Sequence, residues 1–164
     1  MILSSVPLTF IPSALAVLAY GLASALPSGK SQLQRHPEDR LVWAALAAGW
    51  LAHAISIAFD TLHQQSTGLA ARFGFAPALS VTTWLVLAVY AAESHRLGLP
   101  AIRKWLAFAA ALFVALAWVF PGQAYSEASS PWAPVHWITG FAAYGLMGAA
   151  LMHAAVLRHA EKQL

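Results

Sequence analysis

The sequence contains no cysteine, which excludes disulfide bonds, thiolate metal sites and cysteine nucleophiles. Charged residues are also scarce. They make up 9% of the 164 residues, whereas soluble globular domains carry roughly 25%. Hydrophobic residues make up 60% of the chain, and the mean hydropathy is +0.64. This composition predicts an integral membrane protein.

Acidic residues number only six, and none are paired inside an apolar run. Their scarcity argues against a proton-coupled transporter built on intramembrane carboxylates. The chain also lacks a phosphate-binding glycine loop and a nucleophile elbow, so we expect it not to be an enzyme. The net charge of +3 does not indicate nucleic acid as a partner, because the basic residues lie in short segments beside apolar runs.

Apolar runs recur along the whole chain, and they span residues 2–26, 41–59, 76–92, 105–120 and 135–157. Their lengths predict an all-α fold, a polytopic transmembrane helical bundle of about five spans, forming one domain over residues 1–164. Of the nine lysines and arginines, all but Arg72 lie in alternate connecting segments and in the C-terminal tail. This asymmetry predicts an N-terminus outside and a C-terminus in the cytoplasm, in a bacterial cytoplasmic (inner) membrane.

Histidine is unusually frequent for so apolar a chain, with seven residues. His36, His95 and His159 fall in the predicted cytoplasmic segments, where solvent or lipid headgroups would surround them. His63 falls in a predicted outer loop, and His153 in the inner half of the fifth run. The sequence leaves the roles of His63, His95 and His153 open.

His53 and His136 share a predicted depth, in the outer half of the membrane. Gly49 lies one turn deeper than His53, and Gly140 lies one turn deeper than His136. With Tyr144, these glycines are the residues predicted to shape the space for a ligand. An ionisable residue inside a membrane indicates a functional site, although a histidine can also join helices by a hydrogen bond. Two neutral imidazoles facing a common space suit the iron of a haem. Zinc or copper would lack a third ligand of a good type.

The fifth run places His136, Gly140, Tyr144 and Gly148 at four-residue intervals, on roughly one helical face. The bare backbone at the glycines could receive the edge of a flat ligand or the close approach of a second helix.

Two residues near His53 extend the candidate site. Asp60 follows His53 on the same face and is expected to orient a ligating imidazole. Trp50 lies mid-span and is expected beside the ligand, with core packing as the alternative.

Val135-His136 followed by Tyr144 resembles the cytochrome c assembly family. Its HemX/YpjD-type inner-membrane branch, related to CcsA, is the most similar. The resemblance includes residues 50–55 and residues 74–80. It implies cytochrome c-type biogenesis and binding of a b-type haem near the outer face, with His136 and His53 matching the family's histidines as axial ligands. The tryptophan-rich haem-presenting motif of CcsA is missing, so haem attachment chemistry is not implied.

The resemblance also implies that residues 1–164 are the N-terminal part of a longer architecture. The predicted partners are then haem, membrane lipid, and a C-terminal half or another membrane subunit. Two other functions remain open from the sequence: a transporter of a small solute or metal ion, and a structural non-catalytic subunit of a membrane complex.

Overall fold

The computed structural model describes residues 9–27, 37–61, 64–65, 68–69, 71–97, 100–125 and 132–161. It contains five helices, α1 (Phe10–Ala25), α2 (Pro37–Thr61), α3 (Phe75–Leu97), α4 (Pro100–Val119) and α5 (Ala133–Glu161). Short strands lie between them, β1 (Gln64–Gln65), β2 (Gly68–Leu69), β3 (Ala71–Phe73) and β4 (Gln123–Tyr125). The helical prediction is therefore confirmed. The sequence analysis did not anticipate the strands, of which β1 pairs with β2 inside one predicted loop and β3 pairs with β4 of another.

Within the described residues, three segments are long and apolar enough to cross a membrane: Arg40–Asp60, Phe75–Glu93 and Ile102–Val119. The helix α1 is apolar as well, but its 16 residues make it shorter. These features are compatible with a helical membrane bundle, while the count of five spans and the orientation stay predictions. The predicted first run begins at residue 2, and its first seven residues lie outside the described part of the chain.

Each helix carries a proline in its first turn, where the ring removes no intrahelical hydrogen bond and its fixed φ suits the helix. These residues are Pro12, Pro37, Pro77, Pro100 and Pro134. Pro12 therefore starts α1 and does not kink it. Helices α2 to α5 begin before their predicted apolar runs, and in α2 and α4 the added first turn includes charged residues.

The main helix contacts follow the order α2, α1, α4, α3, α5, because α1 packs against α2 and α4, and α3 packs against α4 and α5. Alanine dominates the core and lets the helix backbones approach closely. The buried residues that form this core cluster are Ala16, Tyr20, Ala23, Val42, Ala45, Leu46, Leu87, Ala107, Ala110 and Val114. The helix α5 has α3 as its main packing partner, so it lies at the edge of the bundle.

A short strand pair connects the α2–α3 and α4–α5 segments at one end of the bundle. β3 pairs antiparallel with β4, with Arg72 opposite Ala124. Gly74 and Gly122 permit this approach, because a Cβ on Gly74 would lie 2.9 Å from the Gly122 Cα. Gly122 also has a positive φ of 73°, a conformation that glycine adopts without strain.

The opposite end of the bundle holds a buried arginine against aromatic rings. The guanidinium of Arg103 on α4 lies 5.7 Å from the centre of the Trp43 ring on α2. Trp43 in turn stacks on Tyr90 of α3, with ring centres 6.4 Å apart. The cation–π contact and the stacked rings join three helices at the end where the basic residues concentrate.

The predicted topology can be tested with reporter fusions. Fusions after Arg40, Lys104 and Arg158 should report a cytoplasmic location, because eight of the nine basic residues fall in the segments predicted to lie on that side. Fusions near Ser66 and Ser129 should report an outside location. An outside signal after Lys104 would contradict the topology and the depths assigned to the histidines.

Candidate functional site

The imidazole of His53 is enclosed at the junction of α1, α2 and α3. Its residue is 1% exposed. The Nε2 atom lies 2.7 Å from the Ser80 hydroxyl on α3, and Nδ1 lies 3.4 Å from the Tyr20 hydroxyl on α1. The Tyr20 ring also meets the imidazole edge-on, with ring centres 5.9 Å apart. We call Tyr20, His53 and Ser80 the His53 cluster.

Hydrogen bonding in the His53 cluster requires no charge. A neutral imidazole offers one N–H donor and one acceptor nitrogen, and a hydroxyl can take either role. The two hydroxyls therefore satisfy the ring in either tautomer. A charged imidazole in this apolar junction would be costly without an anion, so the arrangement suits the neutral ring.

A second polar contact joins α1 and α2 close to the His53 cluster. The hydroxyls of Ser13 and Ser56 lie 2.7 Å apart, and both residues are buried. Ser56 follows His53 by three residues and therefore occupies a neighbouring position on α2. Together the two contacts leave each of these buried hydroxyls with a partner, as an environment without water requires.

The space beside Gly49, where the sequence predicts room for a ligand, is filled by Tyr20. A Cβ on Gly49 would lie 2.9 Å from the Tyr20 Cδ1 atom. Gly49 therefore serves the close approach of α1 to α2, and it places the tyrosine hydroxyl within reach of His53.

Trp50 has the packing role that the sequence analysis kept as an alternative. Its ring stacks on Trp84 of α3, with centres 4.6 Å apart and planes 12° from parallel. Each indole N–H donates to the backbone carbonyl of the other tryptophan at 3.1 Å. Asp60 is partly exposed at the end of α2. The hydrogen-bond partners of His53 are Tyr20 and Ser80, so the predicted orienting role of Asp60 is not seen.

His136, Gly140 and Tyr144 lie on an exposed part of α5. A Cβ on Gly140 would meet no atom within 4 Å, and Tyr144 is 61% exposed. Residues spaced by four drift about 40° around a helix at each step, so Gly148 points about 120° away from His136. Gly148 accordingly packs against α3, where its Cβ would lie 2.7 Å from the Val86 Cγ2 atom.

The structure does not bring His53 and His136 together into one site. Both ring nitrogens of His53 are occupied, and the space beside Gly49 contains a tyrosine ring. A haem held between these two histidines does not fit this arrangement, although haem binding by the chain stays a prediction. Among the described residues, no group of three or more His, Asp or Glu side chains could hold a metal ion.

Sequence reasoning missed Tyr20, Ser80 and Ser13 as the neighbours of His53 and Ser56. Their signal was present, because hydroxyl-bearing residues inside apolar runs require a hydrogen-bond partner from another helix. Pairing them needed the helix neighbours, which the runs alone do not supply.

Comparison of the chain with protein-family models, curated protein sequences and solved structures found no match. The residues of the site therefore carry the functional argument.

The His53 cluster predicts a large stability difference between two serine variants. Ser80→Ala leaves the Nε2 atom of a buried imidazole without its partner, which costs about 1–3 kcal/mol. Ser24→Ala is the control, because Ser24 bonds only to the Gly21 carbonyl of its own helix, and it should change stability by less than about 0.5 kcal/mol. Unfolding in detergent measures both, and equal losses would contradict the role of the cluster.

A second prediction compares two glycines in the α1–α2 pair. Gly49→Ala forces the Tyr20 ring away from His53, so it should cost about 1–3 kcal/mol. A Cβ on Gly21 meets nothing within 4 Å, and Gly21→Ala should be neutral or stabilise the helix by up to about 1 kcal/mol. The same unfolding measurement applies, and a Gly49→Ala variant as stable as the wild type would exclude the close approach.

Proposed function

We propose that this chain is a membrane haem-handling protein of cytochrome c assembly, which holds haem near the outer membrane face through His136. One observation carries the proposal: the start of α5 presents an exposed histidine above a glycine with open space beside it. The resemblance of residues 135–144 to the cytochrome c assembly family supports the choice of haem.

Each residue of this face has a role in the proposal. The His136 imidazole would ligate the iron, and Gly140 would leave room for the ring beside the helix. Tyr144, about 12 Å further along the helix, would donate a hydrogen bond to a polar group or pack against the ring. The b-type haem supplies the redox-active iron, while the chain itself binds and presents the group, so no enzymatic step is assigned to it.

In this proposal His53 does not act as the second axial ligand that the sequence analysis expected. It could reach iron only after giving up Ser80 or Tyr20, which would leave a buried hydroxyl without a partner. We therefore assign the single ligand role to His136 and a helix-joining role to His53.

A structural subunit of a membrane complex is the second candidate function. Large apolar side chains of α5 remain exposed, namely Tyr144, Leu146, Met147, Leu151 and Leu157. Lipid or another membrane subunit would cover them. The transporter alternative has less support, because His53, which would line its path, is enclosed among three helices.

The proposed function predicts an absorption spectrum. After haem-replete expression, the purified protein should show a Soret band that changes on reduction. His136→Ala should abolish or shift the band, and Gly140→Leu should do the same because its side chain enters the space of the ring. Ala150→Leu is the control, since it adds the same bulk on the exposed surface of α5 about 15 Å away.

Other outcomes separate the candidate functions. A wild-type protein without haem, or an unchanged spectrum in His136→Ala, would favour the structural subunit. His53→Ala should keep the band in the fraction that remains folded. Loss of the band in folded His53→Ala would instead indicate that His53 is a haem ligand.

A further inference from the structure

The helix that carries His136 packs mainly against one neighbour, α3. α5 meets α3 through a strip of small residues, and a Cβ on Gly145 would lie 2.8 Å from the Leu85 Cβ atom. Gly148 makes the similar approach to Val86, and Ala149 is buried beside it. Most of the other α5 side chains that the structure describes are exposed, so the rotation of α5 about its own axis depends mainly on this seam.

Small apolar residues bring two helices close but define their relative rotation weakly. Lipid tails are as apolar as the side chains of α5, so no hydrophobic driving force separates one rotation from another. A close polar contact between side chains of the two helices would limit this freedom.

His153 and Glu93 supply such a contact at the far end of the seam. The Nε2 atom of His153 on α5 pairs with the Oε2 atom of Glu93 on α3. Its Nδ1 atom lies 2.9 Å from the Ala149 carbonyl, one turn earlier in α5. Both ring nitrogens therefore lie beside oxygen atoms, one on the same helix and one on α3.

The contact is well placed to fix rotation. The carbonyl of Ala149 orients the imidazole along its own helix, and the carboxylate then ties that ring to α3. The other charged side chains that the structure describes on these two helices are Arg158 and Glu161, and both are exposed.

We propose that His153 and Glu93 form a polar lock that fixes the rotation of α5 on α3 and so determines where the His136 face points. This inference rests on the proposed function for its purpose, but the lock itself is independent of haem. His153 precedes the helix end at Glu161 by two turns and lies 17 residues from His136, about 25 Å along the same helix. His153 and Glu93 are therefore positioning residues, which act on the haem face through the helix.

The first test is a double-mutant cycle with His153→Ala, Glu93→Ala and the double variant. Each single change should lower the free energy of unfolding. The double variant should lose less than the sum of the two single losses. The coupling should be about threefold in the unfolding constant, the average for hydrogen bonds inside membrane proteins. The exchanged pair, Glu93→His with His153→Glu, should restore stability, because Val89 then offers the carbonyl one turn before the new histidine. Arg158→Ala is the control and should change nothing.

The second test measures the rotation directly and uses the absence of cysteine in the chain. Nitroxide labels on Leu151→Cys of α5 and Leu112→Cys of α4 occupy exposed positions. The distance distribution between them should be narrow in the otherwise unchanged protein. It should broaden in Glu93→Ala and in His153→Ala, and become narrow again in the exchanged pair. Additive stability losses, or an equally narrow distribution in both alanine variants, would overturn the lock.

A measurement of bound haem tests whether the lock affects the proposed haem site at His136. At limiting haem, His153→Ala should bind about threefold less haem per folded chain than the wild type, matching the coupling expected of the lock. The exchanged pair should restore binding. A lock that fails while the Soret band persists would leave the proposed function intact. A wild type that binds no haem would overturn the proposed function, whereas the label distances would still decide the lock.

Discussion

The bonding of the His53 imidazole on both sides is the constraint on which the helix bundle depends. Tyr20 approaches from α1 and Ser80 from α3, so one side chain of α2 fixes three helices at once. In an apolar environment no water replaces a lost partner, and each group therefore requires the others in place. Gly49 belongs to the same arrangement, because only a residue without a Cβ lets the Tyr20 ring reach this position.

The helix α5 is held in the bundle by different interactions. It has one main neighbour, it meets that neighbour through small residues, and it leaves its large apolar side chains exposed. A tightly satisfied junction of α1, α2 and α3 thus stands beside a helix whose described N-terminal residues are exposed. The two candidate histidines illustrate the division, since His53 is enclosed by partners whereas His136 is exposed.

Sequence reasoning predicted the helices well because their signal is local. A run of apolar residues bounded by charge indicates a helix in lipid whatever its neighbours. Sequence reasoning was less successful in predicting which residues of a helix face the same neighbour. The four-residue spacing from His136 to Gly148 suggested one continuous face, but the drift of the helix sends Gly148 toward Val86 and leaves Gly140 open. The strands β3 and β4 were missed because each is three residues long and pairs with a distant segment.

The sequence by itself determined that the chain forms apolar helices, where prolines start them, and that polar residues such as His53 and Ser80 lie within apolar runs. These properties depend on composition and on residues close in the chain. The tertiary structure alone decided which groups meet: that His53 bonds to Tyr20 and Ser80, that Trp50 pairs with Trp84, and that His153 faces Glu93. Depth along a helix can be read from the sequence, whereas the rotation of each helix and the identity of its neighbour arise from packing between distant segments.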